Sequence, residues 1–374
     1  MKKFTLAIFP LLVALSVVTD KPFNSVRQAG MEALQYDGPY VLYKNNQVFV
    51  KYIFDDAGLK SVKIDSMPLV QKDSLSVMVG TDMPGKTFSV RLKKELETEK
   101  TEFPGVSKQF ILSDIEGNFR AFRKLLQGNG VIDENFNWIF GDGHLVLTGD
   151  FFDRGDQVTE VLWLIYSLEE KAKAAGGYVH FVLGNHEIMN LSGDIRYVHP
   201  KYFEAASLVR ENYMMLYNEN SELGRWLRTK NIMERVGDIL FMHGGISAAT
   251  NRMAIPVSSV SQMARPYYAD STYIYSDPRI DTLYSDIGPF WYRGYYMGSP
   301  KASSAQVDST LSIYGVKHIA TGHTVIADTI SVLFNGKVFN TDVHHVKGHS
   351  EALLLEGGKY YRVNALGEKF LVLE

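Results

Sequence analysis

The 374-residue chain contains no cysteine. Disulfide frameworks, thiolate zinc sites and cysteine nucleophiles are therefore excluded, and any metal must be held by oxygen and imidazole ligands. An excess of charge of one sign is also lacking. The formal net charge is -3, so the bulk charge calls for no membrane-surface partner and no nucleic acid is expected. There is no internal repeat and no low-complexity tract. Past the first twenty or so residues, no run is apolar enough to cross a bilayer. With 45% apolar and 22% charged residues, the composition excludes disordered and collagen-like classes. The length suits one large domain with an accessory piece.

What is present begins with a segment of the export type. Lys2 and Lys3 precede an apolar run from Phe4 to Val18, with Ala14 and Ser16 as small residues near its end. The pattern is that of a secretory signal peptide over residues 1–20. The run is shorter than the ~20 residues of a spanning helix, so cleavage and no stable membrane insertion are expected. Export to the periplasm or the medium follows, with an uncleaved N-terminal membrane anchor as the alternative.

Residues 28–103 read as a small β-rich accessory domain. Alternating runs flank Asn45-Asn46 in a hairpin pattern, and SVKIDS, SLSVMVG and TFSVRL continue as short strands. The charged stretch KKELETEKTEFPG reads as a linker ending at Pro104-Gly105. From residue 106 to 374 the pattern changes. KQFILSD, HLVLTGD and YVHFVLGN are short apolar runs separated by segments of helical spacing, and DILFMHGG and VKHIATGHT follow. Strands alternating with helices predict a layered α/β domain. A tyrosine-rich insertion spans about 253–304.

Five apolar runs share one feature, in that each ends in residues able to bind metal or phosphate. The endings are Asp114-Ile115-Glu116-Gly117-Asn118, Gly149-Asp150, Gly184-Asn185-His186-Glu187, His243-Gly244-Gly245 and Gly322-His323-Thr324. Taken singly, an aspartate after a strand is more often a helix cap, and a lone histidine is more often a packed core residue. Their ordered combination is not expected by chance. In open α/β sheets ligands bind beyond the carboxyl ends of the strands, so five such ends can converge on one point.

The run Gly149-Asp150-Phe151-Phe152-Asp153-Arg154-Gly155, with Gly184-Asn185-His186-Glu187, resembles the calcineurin-like metallophosphoesterases, in their phosphoprotein phosphatase branch. GNHEIMNLSGDIRYV and PFWYRGY are most similar to the Shewanella-like protein phosphatases. The resemblance covers roughly Phe110 to Asp342 and implies a two-layered β-sandwich core flanked by helices. It also implies two divalent metal ions, Asp150 bridging them, Asp114 on the first and Asn185, His243 and His323 on the second. A metal-bridging hydroxide would attack phosphorus, with His186 as general acid oriented by Asp153. Arg154, Asn185 and Arg293 would contact the substrate phosphate.

One departure stands out. Where the family has Asp-x-His, this chain has Asp114-Ile115-Glu116. A glutamate ligand is harder than imidazole, so the first site is expected to favour manganese, iron or magnesium over zinc. The function this implies is metal-dependent hydrolysis of phosphomonoesters on a phosphoprotein, a phosphopeptide or a small phosphate ester. Two alternatives carry the same motifs: a nucleotide or dinucleoside polyphosphate phosphohydrolase, and a non-catalytic metal- or phosphate-binding relative. The tail histidines His344, His345 and His349, and likewise His144, His180, His199 and His318, read as packing or solvated residues.

Overall fold

The computed structural model describes residues 34–299 and 301–374. The proposed signal peptide, residues 1–20, lies outside the described residues. Among them no helix is long and apolar enough to cross a membrane.

Strands β1 (Leu34–Lys44), β2 (Gln47–Asp56) and β3 (Leu59–Pro68) form an antiparallel three-stranded sheet. Asn45 and Asn46 join the first two with φ of 49° and 63°. This left-handed pair matches the twist of the flanking strands and is one that asparagine tolerates. Strands β4 (Ser76–Gly80) and β5 (Thr87–Arg91) pair separately.

The centre of the molecule is two six-stranded sheets. One has the order β17 (Lys369–Leu373), β16 (Lys359–Asn364), β15 (Glu351–Glu356), β7 (Lys108–Leu112), β8 (His144–Thr148), β9 (Tyr178–Val182), with β7, β8 and β9 parallel. The other runs β13 (Ser331–Leu333), β14 (Val338–Asn340), β12 (His318–Thr321), β11 (Ile239–Met242), β10 (Met233–Val236), β6 (Glu102–Phe103). Side chains alternate across each strand. Ile111, Val146 and Val182 meet Ile239, Phe241, Ala320 and Phe339 in the layer between the sheets. Phe110, Leu112, Leu145, Leu147 and Phe181 belong instead to the helix-covered core.

The helices in chain order are α1 (Phe119–Gly128), α2 (Val158–Ala174), α3 (Asn185–Ser192), α4 (Pro200–Leu208), α5 (Glu222–Leu227), α6 (Ala248–Met253), α7 (Val257–Ala264), α8 (Pro278–Tyr284) and α9 (Ser304–Tyr314). α2 is buried on nearly every face, Glu160 and Glu169 included. The reason is that the N-terminal strands cover it. Trp163 Nε1 donates to Pro39 O at 2.9 Å, and Tyr166 Oη accepts from Lys93 N at 2.7 Å.

The β-rich region packs onto the rest of the chain, where Val41, Val50, Val77 and Phe88 share one apolar cluster with Trp163, Phe119 and Phe136. The charged stretch before Pro104 is not a free linker. Glu102–Phe103 adds a parallel edge strand beside β10, and Glu99 pairs with the buried Lys230, which also binds Glu169 at 2.6 Å. The tyrosine-rich insertion is partly helical, supplying α7 and α8.

Between the sheets, away from the strand ends that carry the motifs, lies a buried polar chain. His180 Nδ1 is 2.7 Å from Glu234 Oε2, and its Nε2 is 2.8 Å from His144 Nδ1. Burial pushes Glu234 up to about 8, His180 down to about 3 and His144 down to about 4. At neutral pH the Glu234 carboxyl therefore donates to His180, His180 donates to His144, and the trio is uncharged. On unfolding, the imidazoles bind protons near their ordinary 6.5, whereas in the fold they resist until about 3 to 4. Their contribution to stability is thus full above pH 6.5 and falls with acidification towards 4. Glu234 acts oppositely, its contribution declining as pH rises from its ordinary value of 4.5 through 8. We expect His144→Gln to narrow the gap between the unfolding temperatures at pH 7 and pH 4.5. An unchanged gap would remove His144 from the account.

Candidate active site

The three parallel strands β7, β8 and β9 end side by side, and the loops that follow are laced together. Asp114 N donates to Gly149 O at 2.9 Å, Glu116 N to Asp150 O at 3.0 Å and Gly117 N to Phe151 O at 3.0 Å. Glu187, fully buried in the first turn of α3, accepts from Gly184 N, Asp150 N and Phe151 N at 2.7 to 2.9 Å. One carboxylate therefore sets the spacing between the second and third motif loops.

Asp114, Glu116, Asp150, Asp153, Arg154 and His323 all have positive φ, between 49° and 68°. Side chains rarely adopt this region, and it is tolerated where surrounding bonds hold it. The sharp turn it makes after each strand aims the side chains into one cavity. Space for them comes from glycine. A Cβ at Gly184 would overlap Asp150 Oδ1, one at Gly322 would overlap Asp114 Oδ2, and one at Gly149 would press on His243 Nδ1.

The cavity is about 650 Å³ and is lined by Asp114, Glu116, Asp150, Arg154, Asn185, His186, Arg293 and His323. Of the ten site residues expected from sequence, only Asp153 and His243 lie behind this wall, each one contact away. His243 Nε2 is 2.9 Å from Asp150 Oδ2, 3.0 Å from Asn185 Oδ1 and 3.1 Å from His323 Nδ1. Its other nitrogen donates to Thr148 O at 2.7 Å, which leaves Nε2 free to face a cation. Ligand atoms of Asp150, His243 and His323 lie within 4.8 Å of one another, as do those of Glu116, Asp150 and His186.

These are oxygen and imidazole donors, mostly buried, with two carboxylates in close reach. The donor set fits a pair of divalent cations. The electrostatics agree. Burial raises Asp114 to about 6, with Asp150 adding to the rise, and burial and Asp114 raise Asp342 well above the usual carboxylate range. A crowd of buried carboxylates of this kind is stabilised by positive charge.

His186 sits beside Asp150, its N donating to Asp150 Oδ1 at 2.9 Å. Its Nδ1 is 2.6 Å from Asp153 Oδ2, and Asp153 Oδ1 accepts from Asn190 Nδ2 at 2.9 Å. Burial disfavours the charged ring, but the charges of Asp150 and Asp153 outweigh it and raise His186 above its ordinary value. With Nδ1 held, Nε2 turns to the cavity, 3.8 Å from Asp150 Oδ2. Arg154 pairs with Glu116. Arg293 is engaged by His323 O and by Thr324 Oγ1, the latter at 3.0 Å. Trp291 O is 3.1 Å from His323 Nε2, so the stretch from Trp291 to Gly294 lies against the site.

The family model for calcineurin-like phosphoesterases matches residues 108–327. The chain belongs to that family. A solved cold-active protein-tyrosine phosphatase of a psychrophilic Shewanella species is similar at 35% identity and a TM-score of 0.81, over 90% of this chain and 99% of that one. Shewanella-like protein phosphatase 2 of Arabidopsis thaliana is 24% identical over 77% of this chain and 84% of its own. Shewanella-like protein phosphatase 1 of Plasmodium berghei is 27% identical over 58% and 61%. With these relatives the calcineurin-like chain is a metal-dependent phosphatase, a hydrolase of phosphoric esters, and the nucleotide alternative is not favoured.

Sequence reasoning passed over several residues in the site of this phosphatase. Asp342 lines the cavity and follows β14 in the run VFNTD, so it is a sixth strand ending of the kind that identified the other five. Glu187 stood inside a recognised motif, but only the fold reveals that it binds loop backbone. Among the tail histidines, His345 is buried with Nε2 3.1 Å from Ser113 O, and both it and His344 line the cavity.

Proposed function

We propose that this calcineurin-like phosphatase hydrolyses phosphomonoesters carried on proteins or peptides, with His186 as the general acid. The observation that carries the reading is the Asp153–His186 pair, buried and hydrogen-bonded, with Nε2 of the ring facing the carboxylate and imidazole cluster. The names of the similar phosphatases support the protein-bound substrate. Asp114, Glu116 and Asp150 would hold one divalent cation, and Asp150, Asn185, His243 and His323 the other. Bound there, the cations supply Lewis-acid charge on the phosphate and an activated water. The chain's own part is orientation and proton movement. Asp153 fixes the tautomer of His186, whose Nε2 gives a proton to the departing oxygen. Arg154, on leaving Glu116, offers a planar pair of donors to the phosphate oxygens. Arg293 holds the loop of His323 and presents its remaining donors from the far wall.

The test uses protein stripped of metal and assayed on p-nitrophenyl phosphate with manganese, iron, zinc or magnesium restored singly. Turnover that returns with metal supports the reading, and no turnover with any metal ends it. Glu116 makes the metal preference its own prediction. With a carboxylate at this position manganese or iron is expected to restore the most activity. Glu116→His exchanges it for the softer imidazole, and the preference for zinc is expected to rise, read as zinc retained through dialysis as well as turnover. Equal metal retention in both proteins means Glu116 holds Arg154 and no cation. Residues 1–20 are proposed to direct export, which is checked by fractionating cells that make the full chain.

A further inference from the structure

The turn at residues 344–349 carries three histidines, and the fold gives them different surroundings. His345 is buried, with Nε2 3.1 Å from Ser113 O and Nδ1 3.2 Å from Ser350 Oγ. His344 and His349 stay in contact with solvent. Gly348, with φ of 87°, reverses the chain between them, and His349 N donates to His344 O at 3.3 Å. Both rings meet Asp328, which lies in the loop between β12 and β13. His344 Nδ1 is hydrogen-bonded to Asp328 Oδ1, and His349 Nε2 is 3.9 Å from Asp328 Oδ2. The two loops are anchored independently. Thr329 Oγ1 and Ile330 N donate to Glu351 Oε2 at 2.7 and 3.0 Å on one side, and the bonds of His345 tie down the other. The side chains of His344, Asp328 and His349 are 35%, 45% and 51% exposed, so water and ions reach them. His344 also lines the cavity, which places the group beside the active site.

A surface ion pair needs one imidazole for one carboxylate. Here each oxygen of a single carboxylate faces a separate ring, and two nitrogens with one oxygen are the donors that suit a borderline-soft divalent cation. We propose that His344, His349 and Asp328 form a further cation site, of the zinc type, built from residues outside the catalytic cluster. Zinc takes nitrogen and carboxylate oxygen at about 2.0–2.2 Å, so one ion spans the 3.9 Å between His349 Nε2 and Asp328 Oδ2. His344 joins it by giving up its bond to Oδ1 and turning its ring, a motion open to a partly exposed side chain. The fourth tetrahedral position is left to water. Lys347 stands near Asp328 in the same turn; its charge opposes that of the ion and limits the affinity without removing a ligand. Imidazole suits zinc, copper or nickel better than magnesium or manganese. The preference of this site is therefore softer than that expected of the cluster that contains Glu116.

The test is zinc binding by the full chain, free of any polyhistidine tag, measured by calorimetry and by metal analysis after dialysis. Wild type is compared with His349→Ala and Asp328→Asn. All three are measured again in an Asp150→Asn background, where the catalytic cluster is expected to release cations. Each variant is expected to lose one zinc-binding step in both backgrounds, its affinity falling by about tenfold or more. Because the readout is a difference between proteins, it does not depend on what the catalytic cluster holds. Unfolding temperatures of the zinc-free proteins are expected to agree, since both side chains lie at the surface. Equal zinc content and affinity in the three proteins overturn the site and leave a surface ion pair. A His349→Ala protein that binds zinc as wild type does also overturns it, even where Asp328→Asn does not.

Discussion

Replacing His186 by alanine is expected to lower kcat for alkyl phosphate esters by roughly 10²–10⁴-fold, the usual contribution of a positioned proton donor. The loss at p-nitrophenyl phosphate is expected to be much smaller, because nitrophenolate departs without a proton. This contrast follows from geometry. Asp153 holds Nδ1 at 2.6 Å, so only Nε2 reaches the cavity. A further consequence concerns pH. His186 must be charged to donate, and it is raised above its ordinary value even against burial because Asp150 and Asp153 stand beside it. The alkaline limb of kcat should therefore move to lower pH in Asp153→Asn, which removes one of those charges. The competing role for His186 is ligation, since its ring also lies within reach of Glu116 and Asp150. Equal losses on both esters together with a lost metal ion would establish that role and sink the proton-donor account.

Asp150→Asn should have the broader effect. Asp150 Oδ1 accepts from His186 N at 2.9 Å, Oδ2 lies 2.9 Å from His243 Nε2, and Asp150 belongs to both potential ligand groups. The amide keeps the shape but halves the acceptors and removes the charge. Loss of one or both cations is expected, with turnover falling on aryl and alkyl esters alike by more than the roughly 10²–10⁴ of one proton-transfer group. The two variants therefore differ in kind: one discriminates between leaving groups and keeps its metal, the other loses both. Metal analysis beside the kinetics checks this. An Asp150→Asn protein that binds cations as well as wild type would show that Asp150 is not their bridge.

Much of the site was legible before the fold. Each short apolar run ended in a residue with metal or phosphate chemistry, and strand ends of one sheet must lie side by side. Asp114, Asp150 and Asn185 follow β7, β8 and β9, which are neighbours in one sheet, so a local pattern became a spatial prediction. Asp342 shows that the same rule was applied too narrowly, since it follows β14 as Asp150 follows β8. The departure at Glu116 was also visible, because a motif reveals a changed donor atom directly.

Other features depended on long-range contacts. The run from Lys93 to Gly105 looked like a solvated linker because charge in a sequence carries no sign of its partners. In the fold Lys93, Glu99, Glu169 and Lys230 pair with one another out of water. The N-terminal strands looked like a domain because strand patterns are local. Which core they join is decided by Trp163 and Tyr166, more than sixty residues on, which need their polar atoms met by Pro39 and Lys93. The pairing of Arg154 with Glu116 and the reach of Glu187 across two loops are likewise properties of distance. By itself the sequence determined the donor atoms and their order, since those are covalent facts of residue type and spacing. Only the tertiary structure decided which donors face one another, because that depends on how separate strand ends are packed.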